Sequence, residues 1–230
     1  MSEITRVRII SRLEIMISKK VTVIDYGVGN LLSVKRALEH CGANVEITSD
    51  IVSILNADKL ILPGVGAFPV AMNFLKELKL VKPIQDYSSS GKPLMAICLG
   101  MQLLLEESSE FESSLGLGIM PGKVIPIPSF SKTEHKLKIP HIGWSSIYPS
   151  DKHSDWKTNA LACTNAGDSF YFVHSFMAQT EIPAHTVATA RYGWNDIPAV
   201  ISKDNVIGVQ FHPEKSGENG LTILKEFLER

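Results

Sequence analysis

Cysteine is scarce in this 230-residue chain, with only Cys41, Cys98 and Cys163, and no two of them form a CxxC pair. No Cys/His cluster stands at zinc-ligand spacing, and three isolated thiols argue against a disulfide framework. They fit a reducing compartment, the cytoplasm. Long apolar runs are also missing. Nothing approaches the ~20 residues that span a bilayer, so no membrane role is expected. Lys and Arg (23) nearly balance Asp and Glu (24) for a net charge of −1. They are scattered along the chain, and without a basic stripe there is no footprint for nucleic acid. The N-terminus lacks a signal peptide's uninterrupted apolar core, since Arg6, Arg8, Arg12 and Glu14 break it. Residues 1–18 are read as an extension of doubtful significance, ahead of a single domain over 19–230.

What is present is alternation. VTVID (21–25), NVEIT (44–48), KLILP (59–63) and PLMAI (93–97) are short apolar or β-branched runs, the signature of buried strands. Between them LLSVKRALEHC places Leu31, Val34, Leu38 and Cys41 on one helical face, with Asn30 at the N-cap position and Gly42 as the stop. VAMNFLKELK and LGMQLLLEE read as further helices. Such alternation implies βαβ units, a parallel sheet and helices on both of its faces. The second half differs. Pro121, Pro126, Pro128 and Pro140 punctuate 117–148, and SFYFVHSFM, HTVATARY, AVISK and VIGVQF are strand candidates before a closing helix, GENGLTILKEFLER. The expected fold is an open, mostly parallel α/β sheet flanked by helices, with an antiparallel extension.

In open α/β sheets the chemistry gathers at the carboxyl ends of the strands. Three segments fall at such ends: PGVGAF (63–68), Cys98, and FHPEKS (211–216). Ala96-Ile97-Cys98-Leu99-Gly100 has the setting of a nucleophile elbow, a sharp strand-to-helix turn that needs small flanking residues. A helix N-terminus there favours the thiolate. Read alone, Cys98 is more readily a small hydrophobe in a core, the commoner fate of a buried cysteine. A nucleophile needs a base, and the base an orienting group. His212 and Glu214 stand two apart, which on an extended segment points both to one side; their plainer reading is a turn at a strand end. Backbone N–H groups of Leu99 and of the Gly64-Val65-Gly66 loop would form an oxyanion hole. DYGVGN (25–30) lacks the third glycine of a dinucleotide loop and any GK[ST], which argues against phosphate binding. His174, Ser175 and Trp144 read, by themselves, as core.

Taken together, AICLGMQ, PGVGAF and QFHPEKS resemble the class I (triad-type) glutamine amidotransferases. DYGVGNLLSVKRAL, GLGIMPGKV, KIPHIGW and YFVHSF, in matching order, narrow the resemblance to the glutaminase subunits of imidazole glycerol phosphate synthase. The fold this implies is the flavodoxin-like sheet already expected. The resemblance further implies that Cys98 attacks the side-chain amide of L-glutamine to form a thioester, with His212 moving protons and Glu214 orienting it. Gly64, Gln102, Ser175 and Phe176 match positions that hold the substrate. Asn30, Trp144 and Lys215 match positions that face a partner, a (β/α)8-barrel cyclase that receives the ammonia and makes imidazole glycerol phosphate and AICAR in histidine biosynthesis. No metal or cofactor is implied.

Two departures stand out. Ala96 occupies an elbow position that is usually Gly, and Ser145 follows Trp144 where Asn is usual. With the long insert IPSFSKTEHKLKIPHIGW, the second departure leaves open a paralogue that supplies ammonia for sugar amidation in surface polysaccharides. A stand-alone cysteine hydrolase and a non-catalytic binding module are the readings from other classes. The matching substrate-holding motifs oppose the first, and the intact Cys98, His212 and Glu214 oppose the second.

Overall fold

A computed structural model describes residues 19–130, 136–150, 156 and 161–230. The extension over 1–18 and part of the long insert lie outside the described residues.

Elements follow in chain order as β1 (Lys19–Ile24), α1 (Leu31–His40), β2 (Ala43–Thr48), α2 (Ile51–Asn56), β3 (Leu60–Leu62), α3 (Phe68–Glu77), α4 (Val81–Ser88), β4 (Leu94–Ile97) and α5 (Leu99–Leu103). Then come β5 (Glu107–Ser108), β6 (Ser114–Leu115), β7 (Gly122–Pro126), β8 (His141–Pro149), β9 (Ser169–His174) and β10 (Phe176–Thr180). The chain closes with β11 (Thr186–Tyr192), β12 (Asn195–Lys203), β13 (Val206–Val209) and α6 (Gly217–Glu229).

Nine strands form the main sheet in the order β2-β1-β3-β4-β13-β12-β11-β8-β9, and a small sheet runs β10-β7-β5-β6. The first five strands of the large sheet are parallel and the remaining pairings antiparallel. The expected fold is thus observed. Alternation along each parallel strand feeds two cores. Val21, Val23, Ile61 and Ile97 face Val34 and Leu38 of α1 and Leu224 and Phe227 of α6. Ile24, Leu60, Leu62 and Ala96 face Ile54, Met72, Leu75 and Ile84 on α2, α3 and α4. With both faces covered, the parallel strands are apolar almost throughout.

Three expectations need correction. Asn30 occupies the N-cap position of α1, but its side chain makes no capping hydrogen bond. The helix expected over LGMQLLLEE ends at Leu103, because Glu107 and Ser108 turn into a strand of the small sheet. SFYFVHSFM is not one strand. It breaks at Ser175, with β9 in the large sheet and β10 paired to β7 in the small one. That break places Ser175 and Phe176 at the seam between the sheets.

Candidate active site

Strand order explains why distant segments meet. β4 lies between β3 and β13, with Leu62 paired to Ala96 and Val209 to Ile97. The residues following these three parallel strands, Pro63–Gly66, Cys98 and Gln210–Glu214, therefore emerge side by side at one sheet edge. The Cys98 N–H donates to Val209 O at 2.8 Å, continuing the ladder to the turn itself.

Cys98 then departs from strand geometry with φ 54° and ψ −110°, backbone torsions that L-residues avoid. The elbow expected from sequence is present. A Cβ on Gly100 would stand 2.0 Å from Leu62 O, and one on Gly64 would stand 2.8 Å from Gly100 N. The elbow and the PGVG loop thus touch backbone to backbone. Ala96 is accommodated in β4, so the missing glycine at 96 leaves the turn intact. Tyr26 secures the loop from behind: buried, it donates its hydroxyl to Pro63 O at 2.7 Å. That is the use the structure makes of DYGVGN.

His212 and Glu214 are paired Nδ1 to Oε1 at 2.8 Å, and both side chains are almost wholly buried. The His212 N–H donates to Tyr171 O, the Ser216 hydroxyl to His212 O, and the Tyr171 N–H to Ser216 Oγ. These bonds tie the HPE turn to β9. Burial pulls the His212 pKa down, but Cys98 and Glu214 outweigh it and push it up to about 10. Nε2 of His212 has no hydrogen-bond partner among the described residues, and the sulfur lies near enough to act on the ring's charge. The plainer reading of HPE as a surface turn is excluded by this burial.

A cleft of about 310 Å³ opens over these groups. Cys98, His212, Leu99, Val65, Gly66, Gln102, Ser175 and Phe176 line it, together with Glu110, Pro140, Val173 and His174. Gly64 sits beneath it, against Tyr26 and the elbow. Gln102 is buried, with Nε2 shared between Phe176 O and Gln210 Oε1, both at 3.0 Å. Val65 and Gly66 are exposed at the cleft mouth.

Three buried residues escaped the sequence reading. Tyr26 has just been described. Glu110 lines the cleft, and its Oε2 accepts the Phe68 N–H at the start of α3 (2.7 Å). Burial pushes the Glu110 pKa up and that N–H draws it back. Gln210, fully buried, directs Nε2 at Cys98 Sγ over 3.8 Å. Its place two residues before His212 was the one available signal, since alternation sends both to the same side.

Of the residues expected to face a partner, Lys215 is exposed, directly after Glu214 in the chain, and Asn30 is half-buried. Trp144 is 58% exposed, which corrects the reading of it as core, and its ring meets Tyr171 edge-on. No helix of the described residues is long and apolar enough to cross a membrane, and no group of metal-binding side chains occurs among them.

Known proteins resemble this chain in sequence and in fold. The family model for glutamine amidotransferase class-I matches residues 22–230. A HisH 1 subunit of imidazole glycerol phosphate synthase from Legionella pneumophila (strain Lens) is 46% identical over 209 residues, 91% of this chain and 98% of the relative. The HisH subunit from Lactococcus lactis is 47% identical over 211 residues, 92% and 98% of the two chains. In fold, the PurLQS structure from Thermotoga maritima aligns with TM-score 0.65 at 21% identity, over 91% of this chain and 97% of that one. A chain carrying this elbow, this cleft and these likenesses belongs to the class-I glutamine amidotransferases, among the HisH subunits of imidazole glycerol phosphate synthase.

Proposed function

We propose that the domain from residue 19 onward is the glutaminase half of a two-subunit synthase, hydrolysing glutamine and passing the ammonia to a (β/α)8-barrel cyclase partner in the cytoplasm. The observation that carries the reading is the Cys98 elbow set against a buried His212–Glu214 pair in a cleft of amino-acid size. Cys98 Sγ attacks the side-chain amide carbon of glutamine, and Leu99 N–H with the Gly64–Gly66 loop receives the charge that develops on oxygen. His212 gives the leaving nitrogen its proton, the C–N bond breaks, and ammonia departs from a γ-glutamyl thioester. His212 next takes a proton from water, the hydroxide displaces sulfur, and glutamate leaves. One glutamine and one water thus yield one glutamate and one ammonia.

Substrate recognition follows from the lining. Glu110 brings a carboxylate into the cleft, the natural counter-charge for the α-ammonium of glutamine. Ser175 and Phe176, at the seam between the sheets, offer backbone groups to the substrate, and Gln102 braces the Phe176 carbonyl.

The partner face is proposed around Trp144, Asn30 and Lys215. Ile142, Trp144 and Tyr148 stand on one open side of β8, an apolar strip that a monomer gains nothing by exposing. Ammonia released into neutral water would be protonated and lost as a nucleophile, so an apposed acceptor subunit answers a chemical need. The HisH relatives favour the histidine pathway over sugar amidation, and with it formation of imidazole glycerol phosphate and AICAR.

The test is a complex of this chain with the cyclase of a HisH-type synthase. Cys98→Ala is expected to abolish glutamine-dependent turnover, by about 10⁴-fold or more, while added ammonium still supports product formation. Glutamine hydrolysis surviving in that variant would remove Cys98 from its role. A wild-type complex that makes no imidazole product even with ammonium would remove the pathway.

A further inference from the structure

At the wall of the cleft, His174 forms with His141 a pair of histidines that the proposed glutaminase chemistry does not use. His141 opens β8 and faces His174, the last residue of β9, across the ladder. Both are buried. Nδ1 of His141 lies 3.1 Å from Nε2 of His174, Nδ1 of His174 lies 2.8 Å from Phe176 O, and Nε2 of His141 lies 2.9 Å from Ser145 Oγ. The His141 ring is held between Tyr192 and Phe172, with centroids at 4.0 and 5.0 Å.

With both rings uncharged, as their burial favours, one polarity satisfies every member. A carbonyl only accepts, so His174 Nδ1 carries a proton and donates to Phe176 O. His174 Nε2 must then accept from His141 Nδ1–H, and His141 Nε2 must accept from the Ser145 hydroxyl. The uncharged state fits the site, where burial pushes both pKa values down to about 4. Ser145, the residue that departs from the usual Asn, supplies the first donor of the chain.

The chain ends where the cleft begins. Phe176 O also accepts from Gln102 Nε2, which in turn donates to Gln210 Oε1, and Gln210 Nε2 is directed at Cys98 Sγ. The same carbonyl is therefore held from two sides, by histidine from β9 and by glutamine from α5. Phe176 follows the break at Ser175, where the backbone leaves the large sheet and β7 of the small sheet holds it from the other side, Ser175 O accepting the Ile127 N–H at 3.0 Å.

We propose that His174, oriented by His141 and Ser145, is a positioning residue for the glutamine site: it holds the Phe176 carbonyl, and through it the Gln102–Gln210 amides beside the Cys98 thiol. The inference rests on the glutaminase reading for its kinetic arm but not for its chemical one.

The experiment compares His174→Leu, His174→Asn and Ser145→Ala with wild type by glutamine KM and kcat in the cyclase complex. A second readout is the rate of Cys98 alkylation by iodoacetamide between pH 6 and 9, with Tm as the check on folding. Asn carries an amide N–H where His carries Nδ1–H. His174→Leu is expected to raise KM about tenfold, the loss of one buried hydrogen bond, and to alter the alkylation profile. His174→Asn is expected to recover most of both, and Ser145→Ala to change each by about two- to fivefold. Folded His174→Leu with wild-type KM and alkylation overturns the proposal, and so does His174→Asn performing no better than Leu. If His174→Leu does not fold, Ser145→Ala at its half-exposed position decides, wild-type behaviour in both readouts being the negative result. A wild-type complex without glutaminase activity would sink the functional reading alone, because alkylation reports thiol placement without glutamine.

Discussion

The parallel and antiparallel halves of the large sheet meet at the cleft and bring different things to it. From the parallel half come Cys98, the proposed nucleophile, the loop beside it and the His212–Glu214 pair, each within a few residues of a strand end. β4 and β13 are buried along their whole length between two layers of helices. A slip of one residue there would turn every side chain to the wrong core, so the register of these strands is firmly specified. From the antiparallel half and the small sheet come Ser175, Phe176 and the open face of β8, whose burial alternates instead. The groups proposed for bond-making follow directly from doubly covered strands. Those proposed to meet a substrate or another protein stand where one side is left uncovered.

The division can be strained from either side. Glu214→Gln attacks the parallel half hardest. It leaves His212 in place but removes the charge that holds its ring, and glutaminase kcat is expected to fall by about 10² to 10⁴. The same substitution carries a stability signature. The folded-state pKa of His212 is raised, so the stabilisation from its charged form is complete below its unfolded value of about 6.5 and is lost as pH rises through about 10. Denaturant midpoints of wild type and Glu214→Gln are therefore expected to differ most near pH 6 and to converge as the pH passes about 10. A gap that widens with pH would contradict this account of the pair.

Gly100→Ala tests the contact between elbow and loop. The new methyl would meet Leu62 O, and either the turn or β3 must move. A cost of about 1–3 kcal/mol is expected, read as a drop in Tm of about 2–4 °C for each kcal/mol, together with loss of Cys98 alkylation at the wild-type rate. Unchanged Tm and reactivity would show the elbow to be softer than its packing. The antiparallel half should respond differently. Trp144→Ala at its exposed site is expected to shift stability by no more than about 0.5 kcal/mol, yet to weaken association with the cyclase by about 1–2 kcal/mol, measurable by titration calorimetry. Equal binding by that variant would move the partner face elsewhere.

The parallel half was also the more legible in sequence. Runs such as VTVID, KLILP and PLMAI state their burial openly, and the motifs at their ends fix which residues gather there once strand order is known. The failures have physical causes. α2 is six residues long, too short for a period to declare itself. α4 holds Pro83 in its first turn, a place a helix tolerates but a pattern search reads as a break. Glu110 sits in EESSEFESS, which looks like a solvated loop. Only the fold turns that carboxylate inward, against the start of α3. The seam at Ser175 was invisible for a related reason, since β9 and β10 are both good strands and their separation is decided by partners far away in sequence. Ser145 appeared as an unexplained departure until the bonded histidine pair gave it a neighbour to serve.

One feature of the elbow reaches beyond mechanism. Cys98 holds a positive φ, in a region of backbone space where glycine rests without strain and a residue with a Cβ is penalised by about 1–3 kcal/mol. The position proposed to perform the chemistry is thus one whose backbone would rest more easily with glycine. Selection for folding and selection for turnover pull against each other at a single codon. In a descendant no longer required to split glutamine, the first of these would act alone, and glycine at position 98 would release the backbone strain of the elbow at the expense of the packing the thiol provides.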